Sequence, residues 1–148
     1  MNIRTASADD LDQVVACVHA AYSKYVPLIG REPAPMLADY PTLIAAGFVH
    51  LAEDSDGMVG LIVMWPEDGR WYIDNIAVRP NGQGRGVGSA LLAAAEAAAR
   101  DDGCTELWLY TNEAMSENLD YYPRRGFTET GRSAESGYRR VYYSKTLA

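Results

Sequence analysis

The chain has 148 residues, 48% of them hydrophobic and 22% charged, with a formal net charge of −7. That length predicts one domain, 1–148, able to bury a real core, and the composition excludes a disordered chain. The acidic balance argues against nucleic acid as a partner, because phosphate binding leaves a basic footprint.

In chain order, Asn2 to Ala6 predicts a short strand. Ser7 followed by Asp10 can cap a helix whose apolar residues Leu11, Val14, Val15, Val18 and Tyr22 recur at helical spacing. The stretch Pro27 to Pro35 breaks that helix, and a second short one is expected from about Leu37 to Ala46, ending near Gly47. Phe48 to Glu53, Met58 to Trp65 and Trp71 to Val78 read as three strands, and the short turn sequences around Gly57 and Gly69 favour antiparallel pairing. After a glycine-rich loop, Ser89 to Arg100 is strongly helix-forming, with Leu91, Leu92, Ala95 and Ala98 as its packing face and Gly103 at its C-cap. Thr105 to Tyr110 is a fifth strand, and Ser116 to Arg125 a short helix kinked by Pro123. Phe127 to Thr130 and Tyr138 to Lys145 close the chain as two strands turning around Ser136-Gly137. This order predicts an α+β, or mixed α/β, class.

No apolar run approaches the ~20 residues that span a bilayer, and the opening MNIRTASADDL lacks the basic and then apolar pattern of a leader. No membrane partner and a cytoplasmic location are therefore expected. Cys17 and Cys104 form no CxxC or Cys/His spacing, which predicts reduced thiols and no metal site. The charge is uneven: residues 1–78 carry four Arg and Lys against 11 Asp and Glu, whereas residues 79–148 carry nine against nine.

The segment richest in chemistry is Val78-Arg79-Pro80-Asn81-Gly82-Gln83-Gly84-Arg85-Gly86-Val87-Gly88-Ser89. Each glycine costs roughly 0.5 to 1 kcal/mol relative to alanine in a regular element, so four of them point to a close backbone approach or to positive φ. A helix start offers free amides and the positive end of the dipole, which together bind phosphate without lysine. A Walker loop would need a lysine that is missing here. A dinucleotide loop would need its third glycine where Val87 or Ser89 stands, and would follow the first strand rather than the fourth.

Gln83-x-x-Gly86-x-Gly88 after Ile76-Ala77-Val78-Arg79-Pro80, with Tyr122-Pro123-Arg124-Arg125-Gly126-Phe127 downstream, resembles the GNAT superfamily of acetyl-CoA-dependent N-acetyltransferases over nearly the whole chain. The resemblance implies a central, mostly antiparallel sheet of about seven strands with a splayed central pair, flanked by about four helices. It implies that the backbone of Gln83, Gly84, Arg85, Gly86, Val87, Gly88 and Ser89 holds the pyrophosphate of acetyl-CoA. Ile76, Ala77 and Val78 would pair with the pantetheine, and the thioester would lie between this strand and Thr105 to Tyr110. Arg79 and Arg85 either assist the phosphates or are solvated. Where many members carry Asn and, three residues on, Ala, this chain has Met115 and Asn118. Asn118 either contacts the pantetheine or caps local backbone.

The resemblance further implies direct transfer. A free amine of a small molecule or peptide attacks the thioester, an amide near Val78 holds the oxyanion, and no covalent cysteine takes part. Tyr122 is the expected general acid, a role worth about 10² to 10⁴ in rate, while Tyr121 points elsewhere on the helix. By two-residue alternation Tyr72, Asp74, Ile76 and Val78 share one strand face and Asn75 and Ala77 the other. Asp74 is the candidate base, or else a strand carboxylate bonded to its neighbours. His19 and His50 match no catalytic spacing. Tyr22, Tyr25, Arg31, Glu32, Met36 and Tyr72 are candidates for the acceptor pocket, and the acidic first half suggests a cationic amine. A monomer or homodimer is expected. An acyl-CoA-binding sensor without turnover would keep the same loop, and an O-acyl or longer-acyl transferase would need a wider cleft.

Overall fold

The computed structural model describes residues 1–147. Its strands are β1 (Asn2–Thr5), β2 (Val49–Asp54), β3 (Gly57–Glu67), β4 (Arg70–Val78), β5 (Glu106–Asn112), β6 (Thr128–Glu135) and β7 (Tyr138–Thr146). They form one seven-stranded sheet in the order β1-β2-β3-β4-β5-β7-β6. The pairs are antiparallel except for β4 with β5. The helices are α1 (Leu11–Tyr22), the single turn α2 (Val26–Ile29), α3 (Tyr40–Ala45), α4 (Val87–Asp101) and α5 (Ser116–Arg124). This is the mixed, GNAT-like architecture that the element order implies. Among the described residues no helix is long and apolar enough to cross a membrane.

Both faces of the sheet are covered. Leu61 and Val63 pack with Val14 and Val18 of α1, whereas Ile62 and Met64 pack with Leu91 and Ala95 of α4. Strand alternation sends successive residues of β3 to opposite cores, so an unbroken apolar run is needed there. Gly60 lets α4 come close, since a Cβ at that position would stand 2.9 Å from Val87 Cγ1 and 3.0 Å from the Ala77 carbonyl.

The sheet opens in its middle. β4 and β5 pair only at Trp71 with Leu107, Tyr72 with Trp108 and Ile73 with Leu109, after which the two strands part. At the same point β4 slips against β3. Val63 faces Asn75 but Met64 faces Ile73, leaving Asp74 as the extra residue of a bulge. A bulge bends its strand and sharpens the twist, which turns the end of β4 away from β5. It also resets the alternation. Trp71, Ile73, Ile76 and Val78 pack on the α4 side, whereas Tyr72 packs against Trp65, which joins Ala77 in the α1 core. The single face expected for Tyr72, Asp74, Ile76 and Val78 is thus corrected, because one added residue reverses every later side chain.

Element ends differ where local chemistry decides. α3 starts at Tyr40 because Pro41 suits a first turn and the Asp39 carboxylate accepts from Thr42 Oγ1 at 2.8 Å. β6 runs well past Thr130, since it pairs with β7 as far as Glu135 and Tyr138. Ser136 and Gly137, both at positive φ (53° and 84°), make the two-residue turn whose twist matches the strands.

The N-terminal strand is tied down by charge. Asp10 accepts from Arg4 Nη1 and Nη2, each at 2.8 Å, and from the Ser7 amide at 2.8 Å, while Arg4 Nε reaches Glu53 at 2.7 Å. One guanidinium therefore joins β1, β2 and the start of α1. The Arg4 side chain, and after it the Ser7 amide, hold the Asp10 carboxyl well below its usual range. A depressed carboxylate adds stability in full above its unfolded value of 3.8, and that stability is lost as pH falls from there toward the folded value. Asp10→Asn is expected to cost about 1 to 3 kcal/mol in urea unfolding at pH 7. Its stability should also fall less steeply than the parent's below about pH 4.

Candidate active site

The parting of β4 and β5 leaves backbone groups without a strand partner. The Arg79 amide donates to the Val59 carbonyl at 2.8 Å, so alternation turns Ala77 toward β3 and turns the N–H and C=O of Ile76 and Val78 into the gap. One of these groups is already satisfied, because the buried Tyr22 hydroxyl of α1 donates to the Ile76 carbonyl at 2.8 Å.

Next to this edge lies a cleft of about 440 Å³, lined by Gln83, Gly84, Gly86, Val87, Gly88 and Ser89 on one side and by Tyr25, Tyr121, Tyr122 and Arg125 on the other. Gly86 caps α4 at φ 80°, a left-handed turn that glycine adopts without strain and that aims the first amides of the helix outward. Gly88 lies under Tyr121, since a Cβ there would stand 2.5 Å from the tyrosine hydroxyl. Arg125 stacks on that ring, its guanidinium carbon 3.9 Å from the centroid, and donates to Ser89 Oγ at 3.3 Å. Neither the Tyr121 hydroxyl nor Arg125 Nε has a hydrogen-bond partner although both are buried. Two unpaired donors beside a helix start suit an anionic ligand, which is what the phosphates of acetyl-CoA would supply.

The other expected cofactor residues divide. Ile76, Val78 and Asn118 line this cleft, whereas Ala77 and Arg85 do not. The Ala77 side chain is buried in the α1 core, and the Arg85 guanidinium pairs with Asp54 at 2.7 Å. Arg79 donates to the carbonyls of Met58 at 3.1 Å and Gln13 at 3.4 Å. Two cations line the cleft, Lys24, which pairs with Glu117 at 3.1 Å, and Arg125, whose signal in the sequence was its place four residues after Tyr121, one helical turn on.

A second cavity, of about 160 Å³, lies where β4 and β5 diverge. Tyr22, Ile76, Asn118 and Tyr122 line both spaces, so the two communicate. Tyr122 is buried, and this burial pushes its hydroxyl well above the ordinary tyrosine value, so it holds its proton through the neutral range. Asp74 lines the smaller cavity. Burial raises its carboxyl, opposed by the hydrogen bond from Tyr72 at 3.0 Å and by the neighbouring Asn75 amide. Asn118 Nδ2 donates to Thr111 Oγ1 at 2.9 Å, and Thr111 in turn reaches Met115 Sδ at 3.6 Å. Met115 is buried beneath α5 and orders the start of that helix through contacts with both side chains.

Of the residues expected to shape the acceptor pocket, only Tyr22 lines this cavity. Tyr25 belongs to the larger cleft, where its hydroxyl donates to Glu117 at 3.0 Å. Arg31 donates to the Ser136 carbonyl at 2.9 Å and covers the Tyr138 ring, and the Glu32 carbonyl accepts from the Tyr138 hydroxyl at 2.6 Å. Both anchor the loop to the β6–β7 hairpin and so position Tyr138, which lines the cavity. Met36 packs into the α1 core. Tyr72 is buried between Trp65 and Trp108, its hydroxyl holding Asp74. Tyr110, Tyr138 and Arg140, which the chain order did not single out, complete the wall.

Of the acids of the first half, Asp74 alone lines this cavity. Its only charged lining residues are Asp74 and Arg140, while the turn acids lie in the β2–β3 and β3–β4 connections. The acidity of the first half thus meets the cavity through Asp74, and the turn acids do not line it.

Comparison with known proteins agrees with this geometry. The family model described as the acetyltransferase (GNAT) family matches residues 14–127. The mycothiol acetyltransferase of Propionibacterium freudenreichii subsp. shermanii is 32% identical over 139 residues, 88% of this chain and 43% of that protein. The chain thus spans less than half the length of that relative. The PaiA N-acetyltransferase of Thermoplasma acidophilum, solved in complex with coenzyme A, superposes with a TM-score of 0.82 at 16% identity over 99% of this chain and 98% of its own. Nourseothricin acetyltransferase is 29% identical with a TM-score of 0.62, covering 68% of this chain and 65% of its own. With the family model spanning most of the chain and the glycine loop seated at the parted strands, the chain belongs to the GNAT family of acetyltransferases.

Proposed function

We propose that the protein moves the acetyl group of acetyl-CoA to a primary amine of a small molecule or peptide by direct attack. The observation that carries this reading is the junction of the two spaces. A cleft with unpaired donors at its glycine loop opens, past Tyr22, Ile76, Asn118 and Tyr122, into a cavity that holds a partly buried carboxyl. Acetyl-CoA supplies the activated thioester when bound. The amides of the loop, with the Tyr121 hydroxyl and Arg125, suit its phosphates. The Val78 N–H, turned into the gap, can hold the charge that develops on the acetyl oxygen, the kind of contact that contributes most when it is already in place. Asp74 takes the proton of the amine directly or through water, and its raised carboxyl makes it the stronger base. Tyr122, held in its protonated form, gives a proton to the departing sulfur.

These roles separate in kinetics. Tyr122→Phe is expected to lower kcat by about 10² or more with little change in acetyl-CoA affinity, and Tyr121→Phe to leave kcat near the parent's. An equal loss in Tyr121→Phe alone would exchange the two assignments. Asp74→Asn should lower kcat and remove the low-pH limb of kcat that the parent's carboxyl sets, and an unchanged profile excludes Asp74 as base.

Arg125→Ala is expected to weaken coenzyme A binding about ten- to a hundredfold by calorimetry, the effect of losing a charge-assisted hydrogen bond. Release of free thiol from acetyl-CoA across an amine panel tests the whole reading. Tight binding without turnover on any amine would point instead to a sensor of acyl-CoA.

A further inference from the structure

The smaller cavity has opposite polarity at its two ends. On the β4 side stand the Asp74 carboxyl and Asn75, which is 6% exposed and whose Oδ1 has no hydrogen-bond partner. Asn75 Nδ2 is spent on the Tyr40 hydroxyl at 3.4 Å, so the amide carbonyl is the atom left over. Two acceptors therefore wait there for N–H donors. On the β7 side stands Arg140. Its Nη1 pairs with Glu135 at 2.5 Å and its guanidinium lies 4.2 Å over the Tyr110 ring, but its buried Nε has no partner. Unpaired buried polar atoms are uncommon in folded proteins, and here they occur at both ends of one cavity.

The wall between these ends is largely apolar, with Pro33, Ala34, Pro35 and Ala38 on one side and Leu109 with the Tyr110 ring on the other. One acid and one base give the lining no net charge. A ligand complementary to it donates N–H groups at one end, carries an anion at the other and is apolar between. The flat fork of arginine favours a carboxylate, which it can grip through two parallel bonds.

Size narrows the class further. At about 160 Å³ the cavity is close to the roughly 150 Å³ that holds a benzene molecule, so the spacer is a few carbons or one ring. β5 lies between β4 and β7, paired strands stand about 4.8 Å apart, and β4 has already parted from β5 at Asp74 and Asn75, so the two ends are on the order of 10 Å apart or more at the backbone. The amine and carboxylate of an α-amino acid share one carbon and span too little of that distance.

We infer that the acceptor is a small amino-carboxylate whose amine and carboxylate are separated by an apolar spacer, with Asp74 and Asn75 receiving the amine and Arg140 the carboxylate. This rests on the acetyl-transfer reading above.

The test measures thiol release from acetyl-CoA with 4-aminobutyrate, 6-aminohexanoate and 4-(aminomethyl)benzoate, each beside its carboxamide, with glycine, butylamine and benzylamine as references. For at least one of the three spaced acceptors, kcat/KM should exceed that of its carboxamide by about tenfold or more, and glycine should be poor. Arg140→Gln should bring that ratio toward one and Arg140→Lys should restore part of it, with thermal unfolding checked for both. Glu135→Gln, at an exposed position, removes the competing counter-ion and should lower KM for the carboxylate acceptors, which decides the matter even if the Arg140 variants do not fold. If the plain amines or carboxamides react as well as the amino-carboxylates, or if the ratio ignores both Arg140 and Glu135, the inference falls and acetyl transfer to amines stands. If acetyl-CoA binds and no amine of any kind is acetylated, both fall.

Discussion

The separation of β4 from β5 after Ile73 is the constraint on which the other features of the site depend. A sheet ordinarily satisfies its backbone by pairing, and an unpaired amide or carbonyl away from water costs about as much as a lost hydrogen bond. Here the bulge at Asp74 turns β4 aside, and the chain provides other partners for what it exposes. The Tyr22 hydroxyl takes the Ile76 carbonyl, and the N–H and C=O of Val78 face the open cleft. The same bulge places Asp74 in the lining of the smaller cavity, where the Tyr72 hydroxyl two residues earlier can reach its carboxylate. One inserted residue thus creates the gap and supplies the carboxyl that faces it.

In the proposed reading, recognition of anions divides between backbone and side chain. The glycine loop at the head of α4 offers amides that need no counter-charge, in keeping with a second half whose formal charges balance. Most arginines near the loop are engaged elsewhere, Arg85 with Asp54 and Arg79 with carbonyls at the edge of α1 and β3. Arg125 is held at the loop because Tyr121 provides a flat ring for it to stack on, which fixes a long side chain that would otherwise lose conformational freedom on binding. The smaller cavity repeats the arrangement with Arg140 on Tyr110.

The elements and the loop were legible from the chain because their signals are local. Helical spacing in Leu11 to Tyr22, alternation and turn residues from Phe48 to Val78, and glycines leading into a helix each act within a few residues, and each appears in the structure near where it was expected. The ends of α3 and β6 were less legible, since Asp39 with Pro41 and the Ser136-Gly137 turn decide them. The wall of the smaller cavity was the least legible part. Arg31, Glu32 and Met36 lie on the expected loop, yet hydrogen bonds to the β6–β7 hairpin and packing under α1 turn them away from the cavity.

By itself the sequence determined the family of the fold, the place of the glycine-rich loop and the candidacy of Tyr122, because these depend on backbone freedom, helix starts and residue spacing. Only the tertiary structure decided which side chains line the cleft and the cavity. The bulge reset the alternation of β4 after Asp74, and the pairing of β5 with β7 brought Arg140 and Tyr138 beside a carboxyl some 65 residues away in the chain. Register is a property of strands side by side, so a one-residue slip that is almost invisible in the chain exchanges core for cleft along the rest of the strand.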